Sequence, residues 1–154
     1  MKIHKLINPE NVFLDLAAAD VESALAAVAE VFSPSLSLEP QGVVDALVER
    51  EELGSTSVGD GFAIPHCKTH GLRQIAIALA RFADGIDFGG AGRDPVRFVF
   101  VVLSPPDQPA AHLQVLSQIA RVLKGRQLRS ELLTAPDATE VVGAICRAAE
   151  GEGL

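Results

Sequence analysis

Residues 75–82 read IAIALARF, and residues 97–103 read RFVFVVL. A strand with one wet face alternates apolar and polar positions. A strand covered on both faces reads as a nearly continuous apolar run, as these two do. They predict a central sheet with helices packed on each side. The segment between them, DGIDFGGAGRD at 84–94, is rich in turn formers and reads as a wide turn rather than a nucleotide loop.

Working outward, the flanks are helical. Towards the N-terminus, NVFLDL (11–16) reads as a short strand. Asp20 then offers an N-cap to VESALAAVAEVF (21–32), and Ser33-Pro34-Ser35 breaks that helix. A second helix is predicted from Pro40 to about Leu53, with Val43, Val44, Leu47 and Val48 as its apolar stripe and Gly54 at its end. Residues 54–61 read as a loop, and Phe62-Ala63-Ile64 as a short strand that stops at Pro65. Beyond Pro105-Pro106 a long helix is predicted from Pro109 to about Lys124, with Leu113, Leu116, Ile119, Ala120 and Leu123 on its apolar face. A short helix follows at 127–133. The last helix starts at Asp137 or Thr139 and leaves a frayed tail, GEGL. With no repeat or linker, the whole chain, 1–154, reads as one α/β domain.

Composition narrows the function. The chain is 48% hydrophobic and 21% charged, so it can fill a core without disulfides or metal. Its net charge of −7, with scattered basic residues, argues against nucleic-acid binding, which depends on Lys and Arg. Two distant cysteines make no disulfide framework or zinc motif, which favours a reducing, cytoplasmic setting. No segment reads as a signal peptide or membrane span.

The densest polar segment is REELGSTSVGDGFAIPHCKTH, 50–70. Glycines 54, 59 and 61 would let backbone N–H groups approach a ligand. Ser55, Thr56 and Ser57 add hydroxyls, and Arg50 adds a permanently charged fork suited to phosphate. His66 directly follows a proline that fixes the backbone, and an imidazole titrating near neutrality can present an unprotonated nucleophilic nitrogen. His112, in the first turn of the long helix, reads on position alone as an ordinary solvent-exposed or partly packed helix residue. The positive end of the helix would favour its neutral form. His66, Cys67 and His70 make a poor metal set, because consecutive strand side chains point to opposite faces and no fourth ligand is evident. No GxxxxGK[ST] loop for a nucleoside triphosphate is present.

Taken together, Arg50-Glu51, Gly54-Ser55-Thr56, the glycine-bearing loop, Ala63-Ile64-Pro65-His66 and, further on, His112-Leu113 after a proline-rich turn resemble the fructose/mannitol type of enzyme IIA of the sugar phosphotransferase system. The resemblance covers nearly the whole chain. It implies a mixed five-stranded sheet between helices. It implies that His66 takes a phosphoryl group on Nε2 from an HPr-like or NPr-like histidine phosphocarrier, with Nδ1 held by a local partner. Arg50 would bind the phosphoryl oxygens, Ser55 and Thr56 would contribute to that site, and His112 would sit close by unphosphorylated. No metal or nucleotide cofactor is implied, because the donor is already a phosphohistidine. The arrangement as a IIA without attached IIB or IIC is similar to the nitrogen-related proteins. These regulate a target such as a transporter or sensor kinase; sugar-transport forms pass the group to a IIB domain. Two positions depart from the family's common glycines: Ser57, and Cys67 directly after the active histidine.

Overall fold

The computed structural model describes residues 2–89 and 94–154. Its elements are β1 (Val12–Leu16), α1 (Val21–Phe32), α2 (Pro40–Glu52), β2 (Ser57–Gly59), β3 (Phe62–Ala63), β4 (His66–Lys68), β5 (Ala76–Ile86), β6 (Val96–Ser104), α3 (Pro109–Val122), α4 (Arg126–Thr134) and α5 (Ala138–Gly151), with short 3-10 turns at Ile3–Lys5, Pro9–Asn11 and Ser33–Leu36. The strands form one mixed sheet in the order β1-β5-β6-β3-β2, with β4 also paired to β6. The mixed α/β architecture is as expected, with six strands because the expected β3 strand is split.

The two apolar runs occupy the centre of the sheet, antiparallel to one another. Their side chains alternate between two cores. Ile77, Leu79, Phe98, Phe100 and Val102 face α3, α4 and α5. Ala78, Ala80, Phe82, Val99, Val101 and Leu103 face α1 and α2. Each large apolar side chain fully buried in this way contributes about 1.5–3 kcal/mol, which is why both faces must be covered.

Local chemistry sets the helix starts. Asp20 accepts from Ser23 N (2.8 Å) while Ser23 Oγ accepts from Asp20 N (3.1 Å), a reciprocal cap on α1. Asp137 accepts from Glu140 N (2.9 Å), so it, not Thr139, opens α5. The tail does not fray: Leu154 N donates to Ala149 O (2.8 Å), and Arg121 Nη2 donates to Glu152 O (2.8 Å).

Four expectations are corrected. Residues 57–59 are a strand, not a loop: β2 pairs antiparallel with β3, and Gly59, Asp60 and Gly61, all at positive φ, make the hairpin turn. Two of the glycines read as ligand cradles are therefore turn residues. β3 ends at Ala63, ahead of Pro65 as expected, but the chain does not leave the sheet there. It resumes as β4 in unchanged parallel register with β6, Ala63 opposite Val99 and His66 opposite Val102. Pro65 has no N–H for the ladder, but its carbonyl accepts from Val102 N (2.9 Å) and keeps the register. The buried face of α3 is His112, Val115, Ile119 and Val122, and Leu113 is 67% exposed. Of the expected face, Ile119 and Leu123 are buried and Leu116 packs against the same core, so the correction is a small rotation about the helix axis that takes Leu113 out and brings His112 in. Finally, the start of the turn-rich segment extends β5 to Ile86, where Gly85 sits at φ 75° with room for no Cβ, since one would lie 2.6 Å from Pro95 Cβ. Residues 90–93 of that segment lie outside the described residues.

Among the described residues no helix is long and apolar enough to cross a membrane.

Candidate active site

A cavity of about 430 Å³ opens where β4 and β6 end, lined by Ala46, Glu49, Arg50, Leu53, His66, Cys67, Lys68 and His112. The C-terminal ends of parallel strands are the usual ligand site in open α/β sheets. Three segments far apart in sequence converge there: the second half of α2, β4 and the first turn of α3.

His66 is the first residue of β4 and is half-buried. Its Nδ1 lies 2.8 Å from Ile64 O. A carbonyl only accepts, so Nδ1 carries the hydrogen and donates. The neutral ring then has its lone pair on Nε2. The proline break thus has a chemical consequence: two residues upstream of the histidine, the Ile64 carbonyl is turned to the ring and fixes its tautomer.

His112 lies beside it. The ring centroids are 5.4 Å apart and the planes tilt by 54°. It is only 8% exposed, and its Nδ1 is hydrogen-bonded to Ser104 Oγ at the buried end of β6. Its pKa is lowered from 6.5, first by burial and then by the charges of His66 and Lys68. Burial, not the helix end, is the leading cause, and it favours the neutral ring.

Arg50, in the last turn of α2, donates from Nη1 to Gly54 O (3.1 Å). That bond steadies the guanidinium at the cavity wall and uses one of its N–H donors, leaving others for a ligand. The next residue, Glu51, was not singled out from the sequence. Its carboxylate accepts from both Thr56 N (2.8 Å) and Thr56 Oγ1 (2.7 Å), tying the loop after α2 back to the helix that carries Arg50.

Ser55 and Thr56 are placed differently from the three cavity residues. Thr56 is buried against Glu51, and Ser55 Oγ donates to Phe88 O (3.3 Å) and accepts from Ser57 N (3.1 Å). Neither lines the cavity. The segment that carries them nevertheless runs alongside the proline break, where Ile64 N donates to Thr56 O (3.0 Å).

Cys67 points away from His66 into the α1–α2 core, as strand alternation requires. Burial raises its thiol pKa, opposed in part by Thr69 Oγ1 at 3.5 Å. Among the described residues no three His, Cys, Asp or Glu side chains gather to hold a metal. Ser104 and the Ile64 carbonyl had no sequence signal: a serine ending an apolar strand and a backbone oxygen acquire roles only from what faces them.

Residues 5–147 match the family described as phosphoenolpyruvate-dependent sugar phosphotransferase system, EIIA 2. A nitrogen regulatory protein of Bradyrhizobium diazoefficiens is 34% identical over 141 residues, 92% of this chain and 92% of that one. The fructose-specific EIIABC component of Bacillus subtilis is 29% identical over 146 residues, 94% of this chain but 23% of that one. Among solved structures, nitrogen regulatory protein IIA-Ntr of Neisseria meningitidis matches with a TM-score of 0.86 at 29% identity, covering 93% of this chain and 98% of that one. A histidine with its Nε2 lone pair free, sharing a cavity with an arginine and a second, buried histidine, is a site suited to phosphoryl transfer, and with these matches the chain belongs to the EIIA type 2 family of the phosphotransferase system.

Proposed function

We propose that His66 accepts a phosphoryl group on Nε2 from an HPr-like or NPr-like histidine phosphocarrier and that its phosphorylation state serves regulation. The observation that carries the chemistry is the Nδ1–Ile64 O bond, which leaves Nε2 as the nucleophilic nitrogen. In the transfer, the N–P bond of the donor breaks as the His66 Nε2–P bond forms. The donor imidazole leaves with the electron pair of the broken bond. His66 loses no proton, because its one ring hydrogen stays on Nδ1, donated to the Ile64 carbonyl. Arg50 and His112 line the same cavity and stabilise the charge on the equatorial phosphoryl oxygens. Ser55 and Thr56 serve the phosphoryl group by fixing the loop behind the Ile64–His66 segment. The protein works in the cytoplasm, where such donors are found.

The regulatory reading is supported by the nitrogen regulatory relative, which is similar along nearly its whole length. A two-charge change beside a cavity lined in part by the exposed Leu53 suits a switch in affinity for a transporter or kinase. The second reading, onward transfer to a IIB domain of a fructose/mannitol permease, is favoured by the fructose-specific relatives. One of them, the EIIA component of Haloferax volcanii, is 41% identical over 92 residues.

Incubation with phosphoenolpyruvate, enzyme I and a phosphocarrier should place acid-labile phosphate on the wild type and none on His66→Ala. Equal labelling of both would overturn the assignment. Chase with a IIB domain separates the two destinations: label that moves on supports transport, and phosphorylation-dependent partner binding without loss of label supports regulation.

A further inference from the structure

We propose that Ser104 is a positioning residue for this site: its hydroxyl donates to His112 Nδ1 and holds that imidazole in the tautomer whose Nε2 carries the hydrogen into the cavity. The inference rests on the phosphoryl-transfer reading of His66.

Ser104 ends β6, opposite Lys68 of β4. Its backbone is fixed there, with Ser104 O accepting from Thr69 N (2.8 Å). Strand alternation puts its side chain on the same face as Val102, the face covered by α3, and the residue is fully buried. Its hydroxyl meets His112 Nδ1.

A serine–imidazole bond can run either way, so the surroundings must decide its direction. If Nδ1–H donated to Ser104 Oγ, the serine hydroxyl hydrogen would need a second acceptor. Among the described residues Ser104 Oγ has no other partner. That hydrogen would then be a buried, unsatisfied donor, which costs about 1–3 kcal/mol. If Ser104 donates, the hydroxyl hydrogen and Nδ1 are both satisfied, and only spare oxygen lone pairs go unused, which proteins tolerate more readily. The bond therefore runs from Ser104 to His112. The neutral ring then has its hydrogen on Nε2, the nitrogen not engaged by serine.

The consequence concerns the phosphoryl group. His66 presents a lone pair and needs no donor on its Nε2. The oxygens that arrive with the phosphorus do need donors. A His112 Nε2–H offers them one without adding a charge to the empty site, whereas the opposite tautomer would face them with a lone pair. Two buried acceptor–donor bonds, Ile64–His66 and Ser104–His112, thus give neighbouring imidazoles opposite roles, one nucleophile and one donor.

The test begins with the unphosphorylated full chain labelled with 15N-histidine, at mildly alkaline pH. Ring correlation spectra should show His112 with hydrogen on Nε2 and a bare Nδ1. Hydrogen on His112 Nδ1 in a protein that labels normally on His66 overturns this inference alone; a wild type that takes no label overturns the phosphoryl reading and this inference with it. Next, Ser104→Ala should slow phosphoryl acceptance by roughly 10- to 100-fold, short of or equal to the loss of a whole transition-state donor. It should also broaden or reverse the His112 tautomer signature while leaving that of His66 unchanged. Ser104→Thr, which keeps the hydroxyl, should restore both rate and spectrum. An unaltered rate in a folded Ser104→Ala overturns the proposal, and if that variant does not fold, the wild-type spectrum decides.

Discussion

His66 and His112 stand with ring centroids 5.4 Å apart, each with its Nδ1 turned to a different partner, Ile64 O for His66 and Ser104 Oγ for His112. Both rings are thereby oriented before any phosphoryl group arrives. Preorganisation of this kind lets charge develop in the transition state without rearranging the site.

Arg50 brings a permanently charged, forked donor to that site. Arg50→Ala should slow phosphoryl acceptance by about 10²-fold, the usual effect of removing one oriented donor at developing charge. Arg50→Lys should recover only part of the rate, because an ammonium can neutralise the phosphoryl but cannot also hold Gly54 O in the guanidinium's fork geometry. Rapid-quench measurement of acid-labile label against time gives both values. Wild-type rates in Arg50→Ala would remove the residue from the site.

His112 should make stability depend on pH. Its folded-state pKa lies below the unfolded value of 6.5, chiefly through burial. The unfolded chain therefore binds the proton first as pH falls. The stability from keeping His112 neutral is fully present above 6.5 and is lost as pH drops from there towards the folded pKa. Denaturation midpoints of wild type and His112→Gln, followed downward from neutral pH, should fall more steeply for the wild type. Parallel slopes through that window would show that His112 does not carry the effect.

Thr56→Val should destabilise the chain by about 1–2 kcal/mol in urea, through loss of the hydroxyl donor to the Glu51 carboxylate. The Thr56 N–H bond to the same carboxylate survives the substitution, which limits the cost. Because the loop runs beside the Ile64–His66 break, phosphoryl acceptance should also slow, though less than in Arg50→Ala. A destabilised variant with an unchanged rate would confine Thr56 to a purely structural role.

Cys67 should alkylate more slowly than Cys146 in the native protein. Cys67 is buried with a raised thiol pKa, so little thiolate is present or reachable, whereas Cys146 is partly exposed. Peptide mass spectrometry after timed iodoacetamide treatment gives the order. Phosphorylation of His66 should not reverse it, because the Cys67 side chain points into the opposite core. Faster reaction at Cys67 would show that its thiol is not shielded by the α1–α2 core.

The apolar runs at 75–82 and 97–103 determined the α/β class and the two-sided burial, because only a doubly covered strand needs so few polar positions. The cap at Asp20, the proline starts of α2 and α3, and the placing of Arg50 and His66 on one cavity were also legible, since each depends on neighbours in sequence or on a motif. The GSTSVGDG segment misled, because glycines that would suit a ligand loop suit a β2–β3 hairpin equally well. His112 was likewise undecided: helical periodicity admits two faces of α3, one showing Leu113 to the core and the other His112. Packing against β6 settled that choice. It buried the histidine, lowered its pKa and set it against Ser104. The sequence alone determined which groups were available for phosphoryl chemistry. Tertiary structure decided which nitrogen of each imidazole is free, because that depends on hydrogen bonds to a carbonyl across a proline break and to a serine at the end of another strand, contacts with no periodic signal in the chain.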